Sequence, residues 1–395
     1  MKIVFNGVHE RRKNLPLLLR AIAVARRNCV EVELDVLGSG PETPKWKMLA
    51  ERLGILDCIV WHGWVDKEKA VSIVSSADVF AITSIHDLTS TVLLEALSCG
   101  LPVICIDHCG FSDVVNEKCG IKVPVGDAED MVSGFAAAIR KLNDESYRRR
   151  LSVGAKNRAL DYLWGRKRRQ IAQVYRPEWK KILVSVYACS PHRGSEPGMG
   201  WNFLRLIAED KDRRIWAFVE KSEFEKPIKE YLDSHQTELW NVHFVFIRRL
   251  HINWLRKIWP PSYYWTYRAW QKTVYAAAER LHKEIHFDCA HQLNMVGFRE
   301  PGYLWKLPIP FIWGPVGGLG KTDWRLFAML DVAGKIEFLA RNLINAFQAR
   351  FLYRARAAAR KAATTNTLIT ATSENMREAL RHWGTPSEVI CEIGT

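Results

Sequence analysis

Along the chain, short apolar runs alternate with longer stretches in which apolar residues recur every three or four positions. In the first half the apolar runs fall at 3–5, 32–37, 59–61, 79–82 and 103–106. Between them, 15–26, 45–53 and 67–75 carry helical spacing, and a long amphipathic stretch covers 128–143. Near-continuous apolar runs read as parallel strands buried on both faces, and the helical stretches as their crossovers. The pattern restarts at Lys181-Ile182-Leu183-Val184-Ser185-Val186, which reads as the first strand of a second unit. Further runs lie at 215–219, 242–247, 289–291, 311–313, 368–371 and 389–391. A basic, helical connector containing Arg166-Lys167-Arg168-Arg169 separates the halves.

A chain of 395 residues exceeds one ordinary core. The pattern therefore predicts an α/β protein with two Rossmann-like, doubly wound domains. They span 1–163 and 181–395, with 164–180 as a basic linker helix. Two such domains facing a cleft would bind ligands at the carboxyl ends of their strands.

The segment Ser84-Ile85-His86-Asp87-Leu88-Thr89-Ser90-Thr91-Val92-Leu93-Leu94-Glu95-Ala96-Leu97-Ser98-Cys99-Gly100-Leu101-Pro102-Val103 carries the most chemistry. It reads as strand end, loop, helix, tight turn and strand. Thr89, Ser90 and Thr91 stand where the helix begins and suit capping. A helix start offers free N–H groups and a positive dipole end, a seat for a diphosphate. Glu95 falls one turn into an otherwise apolar helix, where a carboxylate needs partners such as sugar hydroxyls.

This segment resembles the two-acid motif of retaining GT-B glycosyltransferases of family GT4. In that family two glutamates, separated by seven residues, precede Ala-(Leu/Met)-(Ala/Ser)-Cys-Gly-x-Pro-Val. Asp87 takes the place of the first and Glu95 of the second, and Leu88-Thr89-Ser90 replaces the usual Gly-Phe-Gly. The resemblance implies that Glu95 holds the nucleotide ribose and Asp87 contacts the donor sugar. Gly7 and Lys13 match the family's start of the donor domain, with Lys13 on the diphosphate. Val8 stands where the family carries arginine, so Arg11 and Arg12 are the candidates to supply that second cation. Leu37-Gly38-Ser39-Gly40-Pro41 is similar to the family's Gly-x-Gly-Pro turn. His62 closes a strand with no acid nearby in sequence, and reads as structural rather than catalytic.

In the second half, Gly194, Gly198 and Gly200 read as a flexible strand–helix loop. That stretch resembles the glycine-rich loop of the family's acceptor domain. Gly314 and Gly317 lie in Trp313-Gly314-Pro315-Val316-Gly317-Gly318, a run that recurs in bacterial members. His291 closes a strand like the family's Val-His. The resemblance sets it near the reacting sugar, while a core histidine at a strand end is the competing reading. The family's order of domains is the reverse of the one here, so the chain resembles a circular permutation.

The net charge of +14 admits nucleic acid, anionic lipid or a phosphate-bearing substrate as partner. No nucleic-acid-binding motif is present, which disfavours the first. From Ile247 to Gln271, Arg and Lys interleave with Trp254, Trp259, Trp265 and Trp270. This composition fits contact with an anionic membrane, or equally a helix pair with aromatics in the core. Asp210 and Asp212 lie in a charge cluster and read as a solvated turn, not a metal site. The nine cysteines lack paired ligand spacing and read as reduced thiols.

Taken together, the expectation is a hexosyltransferase that retains anomeric configuration. It would use a UDP- or GDP-sugar, a polysaccharide or lipid-linked glycan acceptor, and neither cofactor nor metal. It would act in the cytoplasm, at the inner face of the membrane. A nucleotide-sugar epimerase and a non-catalytic glycan- or lipid-binding protein are the rival readings.

Overall fold

The computed structural model describes residues 1–250, 262–320, 322–365, 369–392 and 394. The chain divides into two compact units. One comprises Met1–Leu163, Lys321–Asn345 and Gly394–Thr395, and the other Trp164–Gly320 and Ala346–Ile393. The sequence pattern put 321–345 with the second domain and 164–180 between the two. The division at 163 is common to both descriptions.

The first unit is built on a six-stranded sheet in the order β3-β2-β1-β4-β5-β6. Its strands are β1 Lys2–Asn6, β2 Glu33–Leu37, β3 Ile59–Gly63, β4 Val79–Ile82, β5 Val103–Ile106 and β6 Gly120–Val123. Every pairing is parallel. The centres of β1, β4 and β5 are fully buried, as expected of strands with helices on both faces. β6 escaped the sequence reading because Gly120 and Lys122 break its apolar run.

Helix Leu15–Arg27 buries Leu15, Leu18, Leu19 and Ile22 on one face, and its Pro16 sits in the first turn where no donor is lost. Helix Ala128–Leu142 opens on Asp127, whose carboxylate accepts from the amides of Glu129 and Asp130. Its first turn is acidic and its last basic, matching the helix dipole.

The second unit carries a seven-stranded parallel sheet in the order β13-β12-β11-β10-β7-β8-β9. Its strands are β7 Lys181–Val186, β8 Arg214–Glu220, β9 Val242–Ile247, β10 Cys289–Asn294, β11 Phe311–Val316, β12 Ile369–Ala371 and β13 Ser387–Val389. Helix Trp164–Val174, expected as a free linker, belongs to this unit. Trp164 packs edge-on against Phe203, and the buried Lys167 donates to the Cys391 carbonyl at 2.8 Å.

Three expectations are corrected here. The residues read as a flexible loop at 194–200 mostly form the first turns of helix Ser195–Ala208, so Gly198 and Gly200 are helical and buried. A Cβ on Gly200 would stand 2.3 Å from the Ala188 carbonyl, so glycine lets the helix lie against the end of β7. Gly314 is a strand residue, since β11 runs through Val316. The last strand lies at 387–389 rather than 389–391.

In the aromatic stretch from Ile247 to Gln271 the described rings divide between its two readings. Tyr267, Trp270 and Gln271 are buried, and the Trp270 indole donates to the Ile247 carbonyl at 2.8 Å. These rings are core rather than surface, although Trp265 is exposed. Trp254 and Trp259 lie outside the described residues. Among the described residues no helix is long and apolar enough to cross a membrane.

Candidate functional site

In the first unit the chain leaves β1 toward one edge of the sheet and returns through β4 on the other side. The order β3-β2-β1-β4 makes the β1–β4 pair a topological switch point, the place where an open α/β sheet offers a ligand crevice beyond its strand ends. Two loops line it. One follows β1 from Gly7 to Asn14; the other follows β4 from Thr83 to Ser90.

These loops are fastened to each other. The Ile85 amide donates to the Arg12 carbonyl at 2.9 Å, and the Thr83 hydroxyl donates to the Lys13 carbonyl at 2.8 Å. The Lys13 ammonium lies 2.5 Å from Asp87 Oδ2, and an Arg12 guanidinium nitrogen lies 3.3 Å from Asp87 Oδ1. Glu10 also pairs with Arg12, at 2.7 Å, so two cations and two carboxylates meet at the switch point. Arg12, not Arg11, is the second cation at Asp87. Arg11 instead pairs with Glu42 at 3.3 Å and Asp331 at 3.7 Å, and Val8 points outward, half exposed.

The expected glycines pack beneath this cluster. A Cβ on Gly7 would touch the Lys13 side chain at 3.5 Å. Gly38 has φ +104°, and a Cβ there would fall 2.0 Å from the Gly7 carbonyl. At Gly40 a Cβ would meet the His9 carbonyl at 2.5 Å. The three glycines therefore let the loops after β1 and β2 interlock.

Helix Thr91–Ser98 begins where the sequence placed it, with Ser90 as its N-cap residue. The Ser90 side chain makes no capping bond, contrary to expectation. Thr89 and Ser90 are buried, and Gly110 is the position that lets Thr89 approach, since a Cβ there would reach its hydroxyl at 2.6 Å. Glu95 is half-buried one turn along. Burial pushes its carboxyl up, with Lys67 opposing the shift. Among the described residues the Glu95 carboxylate makes no hydrogen bond, and it forms no ion pair with Lys13 or Arg12.

Two histidines escaped sequence reading. His9 is buried, shares a 2.7 Å hydrogen bond with the Thr43 hydroxyl and packs on Trp46. His86 lies next to Asp87, and burial lowers its pKa to about 4, aided by Arg341. Its Nδ1 is 3.3 Å from the Thr322 hydroxyl, a partner 236 positions away that local pattern could not disclose. His62 does have an acid, Asp35 on the neighbouring strand, at 2.8 Å. Asp35 also pairs with Lys2 at 2.8 Å, so this is a strand-end ion network.

In the second unit His291 is enclosed. It is 2 % exposed; its Nε2–H donates to the Gly314 carbonyl at 2.8 Å, and its Nδ1 accepts from the Tyr175 hydroxyl. Burial lowers its pKa to about 4, so the ring is neutral. With both nitrogens engaged and the ring enclosed, it has the surroundings of a core histidine. Gly317 bridges Gly297, and Gly194 caps the helix beginning at Ser195. Asp210 Oδ2 pairs with Arg213 at 3.0 Å, and Asp210 Oδ1 accepts from the Asp212 amide, which makes this pair a turn.

Residues 1–158 match the family described as Glycosyl transferases group 1. The chain is 33 % identical over 154 residues to the lipopolysaccharide core biosynthesis glycosyltransferase LpsD of Rhizobium meliloti, covering 38 % of this chain and 42 % of that protein. It is 32 % identical over 182 residues to the D-inositol 3-phosphate glycosyltransferase of Corynebacterium urealyticum, covering 44 % and 42 %. The chain thus spans less than half the length of these relatives. Among solved structures it is similar to the pneumococcal O-GlcNAc transferase GtfA in complex with UDP and GlcNAc, at TM-score 0.38 and 20 % identity over 41 % of this chain and 32 % of that one.

Proposed function

We propose that the protein is a glycosyltransferase whose first unit binds a nucleoside-diphosphate sugar at the β1–β4 switch point. The observation that carries this reading is the meeting of Lys13 and Arg12 at Asp87, in a unit whose sequence matches group 1 glycosyl transferases. An ammonium and a guanidinium suit a diphosphate that gains charge as the glycosidic bond breaks. The start of helix Thr91–Ser98, which no Ser90 side-chain bond caps, adds its amides and its dipole. Glu95, half-buried and without a hydrogen-bond partner among the described residues, would take the ribose hydroxyls. Asp87 would exchange its hold on the cations for a hydroxyl of the sugar.

The transfer would retain configuration, with the acceptor hydroxyl entering on the face the diphosphate leaves. The departing phosphate oxygen would take the acceptor's proton, so no strong protein base is required. His291, enclosed in the second unit, has no part in this scheme. A UDP- or GDP-hexose is the proposed donor and a polysaccharide or lipid-linked glycan the proposed acceptor. LpsD, named for lipopolysaccharide core biosynthesis, supports such an acceptor, whereas the other relative is named for D-inositol 3-phosphate.

The test is release of nucleoside diphosphate from UDP- and GDP-sugars. Glu95→Ala should lose about tenfold or more in rate, the cost of one charged hydrogen bond. Absence of any heat on titration with UDP, GDP or their sugars would favour a non-catalytic protein. Solvent deuterium appearing in the sugar would favour an epimerase.

A further inference from the structure

Helix Ser195–Ala208 follows β7 and delivers the chain to β8, so in this parallel sheet it runs from the carboxyl ends of the strands back to their amino ends. Its last turn and the turn at Glu209 and Lys211 lead into Arg214, the first residue of β8. Thr237, Glu238 and Leu239 lead into β9 in the same way. These two approaches and the start of helix Trp164–Val174 line a cavity of about 340 Å³. All of its lining belongs to the second unit. It lies by the strand starts, at the opposite end of the sheet from the place where an open α/β sheet takes its ligands. The volume falls in the range of small-molecule sites, roughly 300–1,000 Å³.

The lining joins one aromatic plate to a set of polar groups. Trp164 is half-buried and held in place: the Phe203 ring meets it edge-on at 5.9 Å, and the Lys167 ammonium lies 5.0 Å from its centroid. Asn202 donates to the Gly198 carbonyl at 2.9 Å, which fixes its amide. Four charges line the cavity, and they balance: Arg205 and Lys211 against Glu209 and Glu238. Each is already engaged. Arg205 lies 3.6 Å from Glu238, which also accepts from the Tyr231 hydroxyl at 3.1 Å. Glu209 pairs with Arg168 at 2.5 Å, and Lys211 donates to the Ala208 carbonyl at 3.2 Å. In a chain of net charge +14, this balanced lining is a poor seat for phosphate or nucleic acid. It suits an uncharged ligand with an apolar face and a rim of hydroxyls. A pyranose ring has that form. Its C–H face can lie on an indole while its hydroxyls reach amide, guanidinium and carboxylate partners. Partners held in advance lose little freedom when the ligand arrives.

We infer that this cavity is a non-catalytic binding site for a neutral oligosaccharide segment, with Trp164 as its stacking plate and Asn202, Arg205 and Glu238 as its hydrogen-bonding groups. The inference rests on the proposed function only for its purpose, which is to hold part of a long glycan acceptor. Binding at the cavity does not depend on the donor-site reading.

Saturation-transfer NMR and calorimetric titration of the full chain with maltotetraose, cellotetraose, laminaritetraose and mannotetraose test it. At least one should bind with a Kd on the order of 1 mM or tighter. Trp164→Ala should weaken that binding about tenfold or more by removing the plate. Arg205→Ala, at an exposed position, should weaken it about threefold to tenfold and leave the thermal midpoint in place, so it carries the test if Trp164→Ala does not fold. Titrations with UDP and GDP should be the same in both variants as in wild type. A chain that binds a tetrasaccharide but neither nucleotide would end the donor-site reading and support this one; the reverse result would end this one alone. The inference is overturned if none of the four sugars binds at about 10 mM, or if both variants, folded, bind as tightly as wild type, which would put the glycan elsewhere. Inorganic phosphate that displaces the bound sugar, with Arg205→Ala abolishing the displacement, would also overturn it by making the cavity an anion site.

Discussion

Asp87 divides its two oxygens between Lys13 and Arg12, so it competes with any anion for the same two cations. Asp87→Asn keeps the shape and removes that competition. It should tighten UDP or GDP binding by about threefold to tenfold while lowering sugar transfer, whereas Lys13→Ala should weaken binding about tenfold. Calorimetric titration reads both. Equal affinities in wild type and Asp87→Asn would show that the carboxylate does not compete. The motif made both residues legible in the sequence, but not their pairing across 74 positions. Arg12 could be chosen over Arg11 only in three dimensions, because the choice rests on which direction each side chain leaves one short turn. His291 was read with two roles, and only its two hydrogen bonds distinguish them. Its folded pKa of about 4 lies below the ordinary 6.5, so between those values the unfolded chain takes up a proton that the folded one refuses. Stability should therefore be full above pH 6.5, fall as pH drops toward 4, and lose no more from this group below that. The loss is on the order of 3 kcal/mol. Urea midpoints at pH 7 and pH 5, compared with those of His291→Gln, check it: the variant should have the shallower slope.

At the scale of elements, the strands of the first sheet were legible because they are buried on both faces and so apolar throughout. Errors cluster where glycine has a packing role. Gly198, Gly200 and Gly314 look like loop residues in sequence because glycine usually marks turns. Here each permits a close approach instead. A Cβ on Gly314 would lie 2.3 Å from the Thr370 hydroxyl of β12, and its φ is +135°. The second helix of the second unit offers a matched comparison. Gly200→Ala drives a methyl into the Ala188 carbonyl and should cost about 2 kcal/mol or more in urea unfolding. Gly165→Ala, in helix Trp164–Val174, meets open space and should be neutral or gain up to about 1 kcal/mol. Equal effects at the two sites would show that helix propensity, not the approach to β7, explains the glycine.

For the whole molecule, two separate sheets, each with its own buried centre, imply two folding units. The restart of the pattern at Lys181 revealed them, but the assignment of 321–345 did not follow from it. That segment clusters with the first unit through contacts such as Thr322 with His86 and Asp331 with Arg11, which no local period encodes. Calorimetry should resolve two transitions, and UDP or GDP at about a hundred times its Kd should stabilise only one of them, by about 2.7 kcal/mol. A ligand that moves both transitions equally would contradict binding confined to the first unit.

The crevice between β1 and β4 exists because the chain changes direction there, not because any one side chain carves it. Its walls can therefore be rewritten without touching the strands that carry the fold. Replacing Leu88, the exposed residue beside the paired Asp87, should alter which ligand is preferred and leave the melting behaviour intact. For this scaffold, diversification of chemistry and preservation of the core are separable tasks.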